Sequence, residues 1–156
     1  MVSIDLQCVY LKNDDEIGSI PSIEQFKRWV ESSLVSSFTE LEQTVRVVSE
    51  AESQSLNSQY RGKDQPTNVL SFPSDSQYLD YECLGDLVIC APVIELEALE
   101  QGKPHEAHWA HMVVHGMLHL QGFDHQNDQD ADEMETLEIK VLSTLGLTNP
   151  YNELHV

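Results

Sequence analysis

Apolar and polar residues alternate over residues 2–10, as Val2, Ile4, Leu6, Cys8 and Tyr10, which predicts a strand with one buried face. After Pro21 the period changes. Ile23, Phe26, Trp29, Val30 and Leu34 recur at spacings of three and four, the signature of a helix with one apolar face. Residues 44–48, Thr-Val-Arg-Val-Val, predict a second strand. Ser49 is suited to cap the helix that follows, Glu50 and Glu52 suit its positive first turn, and Gly62 is suited to end it. Residues 67–72 predict a third strand stopped by Pro73, residues 74–83 a loop, and residues 84–90 a fourth strand stopped by Pro92. Helices follow near 92–101, 104–121 and 129–145, divided by Gly102-Lys103-Pro104 and by the segment from Gly122 to Asp128.

This order predicts an α/β (α+β) fold: one domain over residues 1–156, with a mixed four-stranded sheet packed against about five helices. The two helical crossovers predict parallel neighbours joined right-handedly, and the loop of about ten residues leaves room for one antiparallel strand. There are no repeats, and no linker divides the chain. At 156 residues and 40% apolar composition it can build a core without disulfides. Cys8, Cys83 and Cys90 are too few and too scattered for a disulfide framework and are expected to act as small apolar residues, with Cys83 and Cys90 on opposite faces of a strand. The N-terminus lacks a basic leader, and no stretch approaches the roughly 20 apolar residues needed to span a bilayer. The expected setting is the cytoplasm, without membrane contact.

Charge narrows the possible partners. Eight Lys and Arg against 27 Asp and Glu give −19. Such a surface cannot coat nucleic acid through bulk electrostatics, so any such contact must come from a local basic spot or a bound metal. Basic proteins are easier partners.

The chemistry concentrates in one segment. Six of the seven histidines lie between 105 and 125. The ordered part is His115-Gly116-Met117-Leu118-His119-Leu120-Gln121-Gly122-Phe123-Asp124-His125, with the skeleton H-x-x-x-H-x-x-G-x-x-H. His115 and His119 are four apart on a helix, so both rings share a face and can converge on one ion. Gly122 can adopt a left-handed conformation, end the helix and turn His125 back toward the same ion. Three imidazoles and one open position describe a catalytic zinc site. By composition, this pattern arises by chance roughly once in 1,500 trials. A rival set of His111, His115 and His119 spans about 12 Å along a helix, too far for good tetrahedral angles. His111 and Asp124 are expected behind the ligands, with His108 sharing the face of His111. Zinc peptidases of the H-E-x-x-H type carry a general-base Glu where this chain has Gly116, which weighs against peptidase chemistry.

These residues resemble the YbeY family of bacterial endoribonucleases and ribosomal-RNA maturation factors. The block from His115 to His125 is similar to its H-G-x-L-H-L-x-G-x-D-H motif at every specified position. Two further blocks agree: Asn57-Ser58-Gln59-Tyr60-Arg61-Gly62-Lys63-Asp64 with Pro66-Thr67-Asn68-Val69-Leu70-Ser71-Phe72-Pro73, and Leu84-Gly85-Asp86-Leu87-Val88-Ile89. The resemblance implies one Zn2+ per chain held by His115, His119 and His125, and a functionally important arginine at Arg61. It implies cleavage of single-stranded RNA in 16S rRNA 3′-end maturation and ribosome quality control, with the ribosome or small-subunit ribosomal proteins as partners and no DNA expected. Asn68 stands where many members carry Asp, and Gln121 and Phe123 stand where Leu and Tyr are common. Independently of the resemblance, Arg61 and Lys63 are two of only eight basic residues and sit just before a strand, where they can hold a phosphate. The alternatives are a metzincin-like zinc peptidase and a non-catalytic ribosome assembly factor whose metal only holds the helix end.

Overall fold

The computed structural model describes residues 2–8, 20–35, 40–74, 83–124 and 126–151. Four strands, β1 (Val2–Cys8), β2 (Leu41–Val48), β3 (Val69–Pro73) and β4 (Gly85–Cys90), form one sheet in the order β1-β2-β4-β3. Five helices accompany them: α1 (Ile23–Ser32), α2 (Glu50–Arg61), α3 (Ala91–Gln101), α4 (His105–Leu120) and α5 (Asp128–Thr144). β1 runs parallel to β2, β2 parallel to β4, and β3 antiparallel to β4. The result is the expected α/β domain with one antiparallel strand.

The strand order departs from expectation in one respect. The crossover through α2 does not place β3 beside β2, because β4 lies between them. Composition explains the insertion. Leu87, Val88, Ile89 and Cys90 of β4 are all buried, which suits a central strand covered on both faces. β3 is short and ends on Pro73, which suits an edge. Strand boundaries also move. β2 begins at Leu41, not residue 44, because Leu41 and Gln43 continue the inward alternation of Val45 and Val47. β3 spans 69–73 and keeps Pro73, paired with Gly85, as its last residue. Cys83 precedes β4, so it does not share a strand with Cys90. Residues 9–10 of the first predicted strand and 75–82 of the predicted loop lie outside the described residues.

Local capping follows the sequence. Ser22 and Gln25 exchange side-chain-to-backbone bonds of 3.2 and 2.9 Å and form a capping box for α1. Ser49 Oγ accepts from the Glu52 amide at 3.2 Å, and Gly62 closes α2 in the left-handed region.

The sheet has two unequal faces. The larger core joins Val2, Val45, Val47, Leu87 and Ile89 to α1, α4 and α5. Phe26 stands at its centre, edge-on to Trp29 and Trp109 at 5.8 and 5.9 Å between ring centroids. The smaller core joins Val48, Leu70, Val88 and Cys90 to Leu56 of α2. Burial pushes the Cys90 thiol up to about 11, and all three cysteines are free. Among the described residues no helix is long and apolar enough to cross a bilayer. Helix α4 is the hub. It lies on the larger face and is buried along most of its length, which leaves its histidines among other elements and not in open solvent.

Candidate metal centre

Helix α4 carries His108, His111, His115 and His119 at intervals of three, four and four residues, so they form a row along one side. The last two stand closest. Their ring centroids are 4.7 Å apart with ring planes at 81°, and both are half-buried. Gly116, between them in sequence, is turned toward the sheet. A Cβ placed there would lie 2.6 Å from Leu87 Cδ2, 3.2 Å from Val69 Cγ2 and 3.3 Å from Ser71 Oγ. Ser71 Oγ donates to the Gly116 carbonyl at 3.1 Å. Position 116 is thus a close approach between helix and sheet, where a peptidase glutamate would be driven into the core.

The end of α4 is a six-residue turn of the Schellman type. The Phe123 amide donates to the Leu118 carbonyl at 3.0 Å, and the Gly122 amide donates to the His119 carbonyl at 3.0 Å. Gly122 has φ 101°, and a Cβ at this position would meet nothing within 4 Å, so backbone conformation alone requires glycine. Gln121, the residue between, binds outward: its Nε2 donates to the Ser33 carbonyl at 2.8 Å and its Oε1 accepts from the Val35 amide at 2.9 Å. This amide ties the end of α4 to the chain leaving α1. Asp124 follows the turn and is half-buried.

The carboxylate behind the row comes from α5. Glu138 is 1% exposed. Its Oε2 is 2.8 Å from His115 Nδ1, and its Oε1 is 2.7 Å from His111 Nε2 and 2.6 Å from Tyr151 Oη. Burial alone would raise the Glu138 pKa, but the hydrogen bonds from His111, His115 and Tyr151 outweigh it and hold the carboxyl at about 2. Burial also lowers the His111 pKa, against the opposing pull of the Glu138 hydrogen bond. Burial and the adjacent Glu138 raise that of Tyr151. An ionised carboxylate only accepts, so each neighbour must donate. His111 therefore carries a proton on Nε2 and His115 one on Nδ1, so that in the neutral His115 ring the lone pair is on Nε2. An imidazole backed by a carboxylate in this way is the common form of a histidine metal ligand. The residues present thus fit a zinc site: two imidazoles on one helix face, one of them held in the ligating tautomer. Among the described residues no three His, Cys, Asp or Glu side chains converge to hold an ion unaided. The predicted third ligand, His125, lies outside the described residues, as does His155.

A second carboxylate serves the start of the row. His108 Nε2 lies 2.8 Å from Glu97 Oε1, and Asn68 Nδ2 donates to both Glu97 oxygens at 3.1 and 3.2 Å. An aspartate at 68 would set one carboxylate against another, so Asn68 is matched to Glu97 here.

Arg61 and Lys63 are exposed at the end of α2, on the smaller face of the sheet. Edge strand β3 is contacted by α2 on one face and by α4 on the other. Phe72 meets Tyr60 of α2 edge-on at 5.1 Å, while the neighbouring Ser71 reaches α4 on the opposite face. Tyr60 of α2 and Gly116 of α4 therefore meet opposite faces of one short strand.

Glu138, Tyr151 and Glu97 were not anticipated from the sequence. Glu138 had a signal: with Met134, Val141 and Leu142 it occupies the buried stripe of α5, and an acid on an apolar stripe needs a partner.

The fold and site define a class: an α/β protein with a carboxylate-backed histidine pair on a central helix. The chain matches the family Endoribonuclease YbeY over residues 10–146 and belongs to it. Among solved structures it is similar to the solution structure of TM1509 from Thermotoga maritima. Identity is 26% over 94% of this chain and 92% of that one, with a TM-score of 0.51.

Proposed function

We propose that this protein is a zinc-dependent endoribonuclease that cuts single-stranded RNA in 16S rRNA 3′-end maturation and ribosome quality control. The observation that supports it is the His115–His119 pair, 4.7 Å between centroids, with His115 Nδ1 engaged by Glu138. Membership of the endoribonuclease family supplies the reaction class. His115, His119 and His125 would hold one Zn2+ per chain, whose bound form supplies Lewis acidity at a phosphodiester oxygen.

The protein's own residues do the rest. Glu138 holds the His115 ring in its tautomer and orientation. Arg61 grips non-bridging phosphate oxygens bidentately and offsets the charge that builds on them as the attacking oxygen bonds phosphorus and the leaving oxygen departs. Lys63 adds a second cation to the same strand edge. With −19 overall, the remaining surface repels RNA, so contact is confined to this edge and salt-sensitive. Basic small-subunit ribosomal proteins are the partners such a field attracts. Gly116 disfavours the peptidase alternative, since no carboxylate fits there.

The test is cleavage of end-labelled single-stranded RNA by wild type and His119→Ala, purified in parallel, with a DNA oligonucleotide of the same sequence as control. Cleavage of RNA alone, by wild type alone, is expected. Equal cleavage by both proteins, or by neither, refutes the reading. A chelator distinguishes the assembly-factor alternative. Because the turn after α4 is closed by backbone bonds, zinc removal should stop cleavage and leave helical circular dichroism intact. Unfolding on chelation would favour a purely structural metal. Product ends identify the nucleophile: a 2′,3′-cyclic phosphate marks attack by the RNA's own hydroxyl.

A further inference from the structure

We infer that Glu138 is a positioning residue for the proposed metal centre: it selects the His115 tautomer whose Nε2 can ligate, and thereby sets the zinc affinity of the site. The inference rests on the metal reading above and adds to it a residue from α5, outside the histidine motif.

The geometry is over-determined. Three groups from two separate regions, His111 and His115 of α4 and Tyr151 beyond the end of α5, converge on the two oxygens of one buried carboxylate at 2.6 to 2.8 Å. Oε1 takes two of them and Oε2 is directed to His115 Nδ1. A charged acid with 1% exposure is costly unless it is fully paired, so this arrangement is not a by-product of packing. A neutral imidazole in water favours neither nitrogen strongly. Here the carboxylate favours Nδ1–H on His115 by one charge-assisted hydrogen bond at 2.8 Å. His111 and Tyr151 play a different part. They are anchored to Oε1, so they hold the carboxylate in place but do not meet His115 through it on the same oxygen. Glu138 therefore hydrogen-bonds a ligand directly, whereas His111, whose ring also lies edge-on to His115 at 6.4 Å between centroids, and Tyr151 give their hydrogen bonds to the carboxylate.

The experiment uses the full chain. Nitrogen-15 spectra of the histidine side chains report the tautomer in metal-free protein, and competition with a chromogenic chelator reports zinc affinity. In metal-free wild type, His115 is expected as the Nδ1–H tautomer. In Glu138→Gln, the preference is expected to disappear and zinc affinity to fall roughly 10- to 100-fold. Tyr151→Phe keeps the carboxylate and both histidines, so it should retain the tautomer and change affinity only a few-fold. A purely structural role for Glu138 would lower stability and leave the tautomer of the folded fraction unchanged. An Nε2–H tautomer in wild type overturns the inference without any variant, so the test survives if Glu138→Gln does not fold. Equal, His119-dependent zinc uptake by wild type and a folded Glu138→Gln overturns the inference but leaves the metal reading standing. Absence of zinc uptake by wild type overturns both.

Discussion

Gly116→Ala sets two effects of opposite sign against each other. Helix propensity alone predicts a gain of about 1 kcal/mol, because alanine restricts the unfolded chain and glycine does not. The contact predicts a loss. The new methyl would lie 2.6 Å from Leu87 Cδ2, about 1 Å inside the roughly 3.5–4.0 Å separation at which carbons attract. Leu87 is fully buried and has little room to swing, and Val69 and Ser71 close the other directions at 3.2 and 3.3 Å. Overpacking of this kind costs about 1–3 kcal/mol. The net expectation is a protein about 1 kcal/mol less stable than wild type, with the Ser71 bond to the Gly116 carbonyl displaced. Urea unfolding of wild type, Gly116→Ala, Leu87→Ala and the double variant closes a cycle. Leu87→Ala removes the clashing atom, so the alanine at 116 should turn from destabilising to stabilising in that background. A Gly116→Ala protein more stable than wild type, or strict additivity in the cycle, would refute the close approach of α4 to the sheet.

Acid should weaken the fold through Glu138. Its folded pKa of about 2 lies below the ordinary 4.5, so its contribution is complete above pH 4.5 and is lost as pH falls toward 2. The difference corresponds to about 3 kcal/mol. Unfolding midpoints of wild type and Glu138→Gln compared from pH 6 downward should converge, and parallel curves would contradict it. Arg61→Ala and Lys63→Ala should lower RNA cleavage while leaving stability within about 0.5 kcal/mol, as both side chains are exposed. A matching fall in melting temperature would point to a structural role. Tyr151→Phe removes a hydrogen bond to a charged acceptor and should cost about 1.5–3 kcal/mol in thermal or urea unfolding. A smaller effect would mean that the residues after α5 are not held by this bond.

Much of the architecture was legible because period and punctuation agree. The alternation from Val2 to Cys8, the three-and-four spacing after Pro21, the Ser49 cap and the Gly62 stop all describe local geometry, which a chain encodes within a few residues. The sheet order was not, because it depends on which strand gains most from burial on both sides. That comparison between β3 and β4 is non-local. The same division runs through the site. His115 and His119 could be paired from helical geometry alone, and the conformation of Gly122 from its place after the helix. Glu138 could not be assigned to His115, since nothing local says which helix will lie across α4. Asn68 illustrates the same limit: its partner, Glu97, is identified only when β3 and α3 are brought together.

Gln121 joins two parts of the chain that are otherwise 86 residues apart. Its one amide satisfies the Ser33 carbonyl and the Val35 amide together. Hydrogen exchange at residues 33–35 therefore reports on the turn that follows His119. Opening either one strands backbone groups on the other, so the two segments form a single cooperative unit of sub-global unfolding. A hydrophobic residue at 121 would uncouple them: it could fill the same space, but the exit from α1 would then breathe independently of the helix end that carries the site.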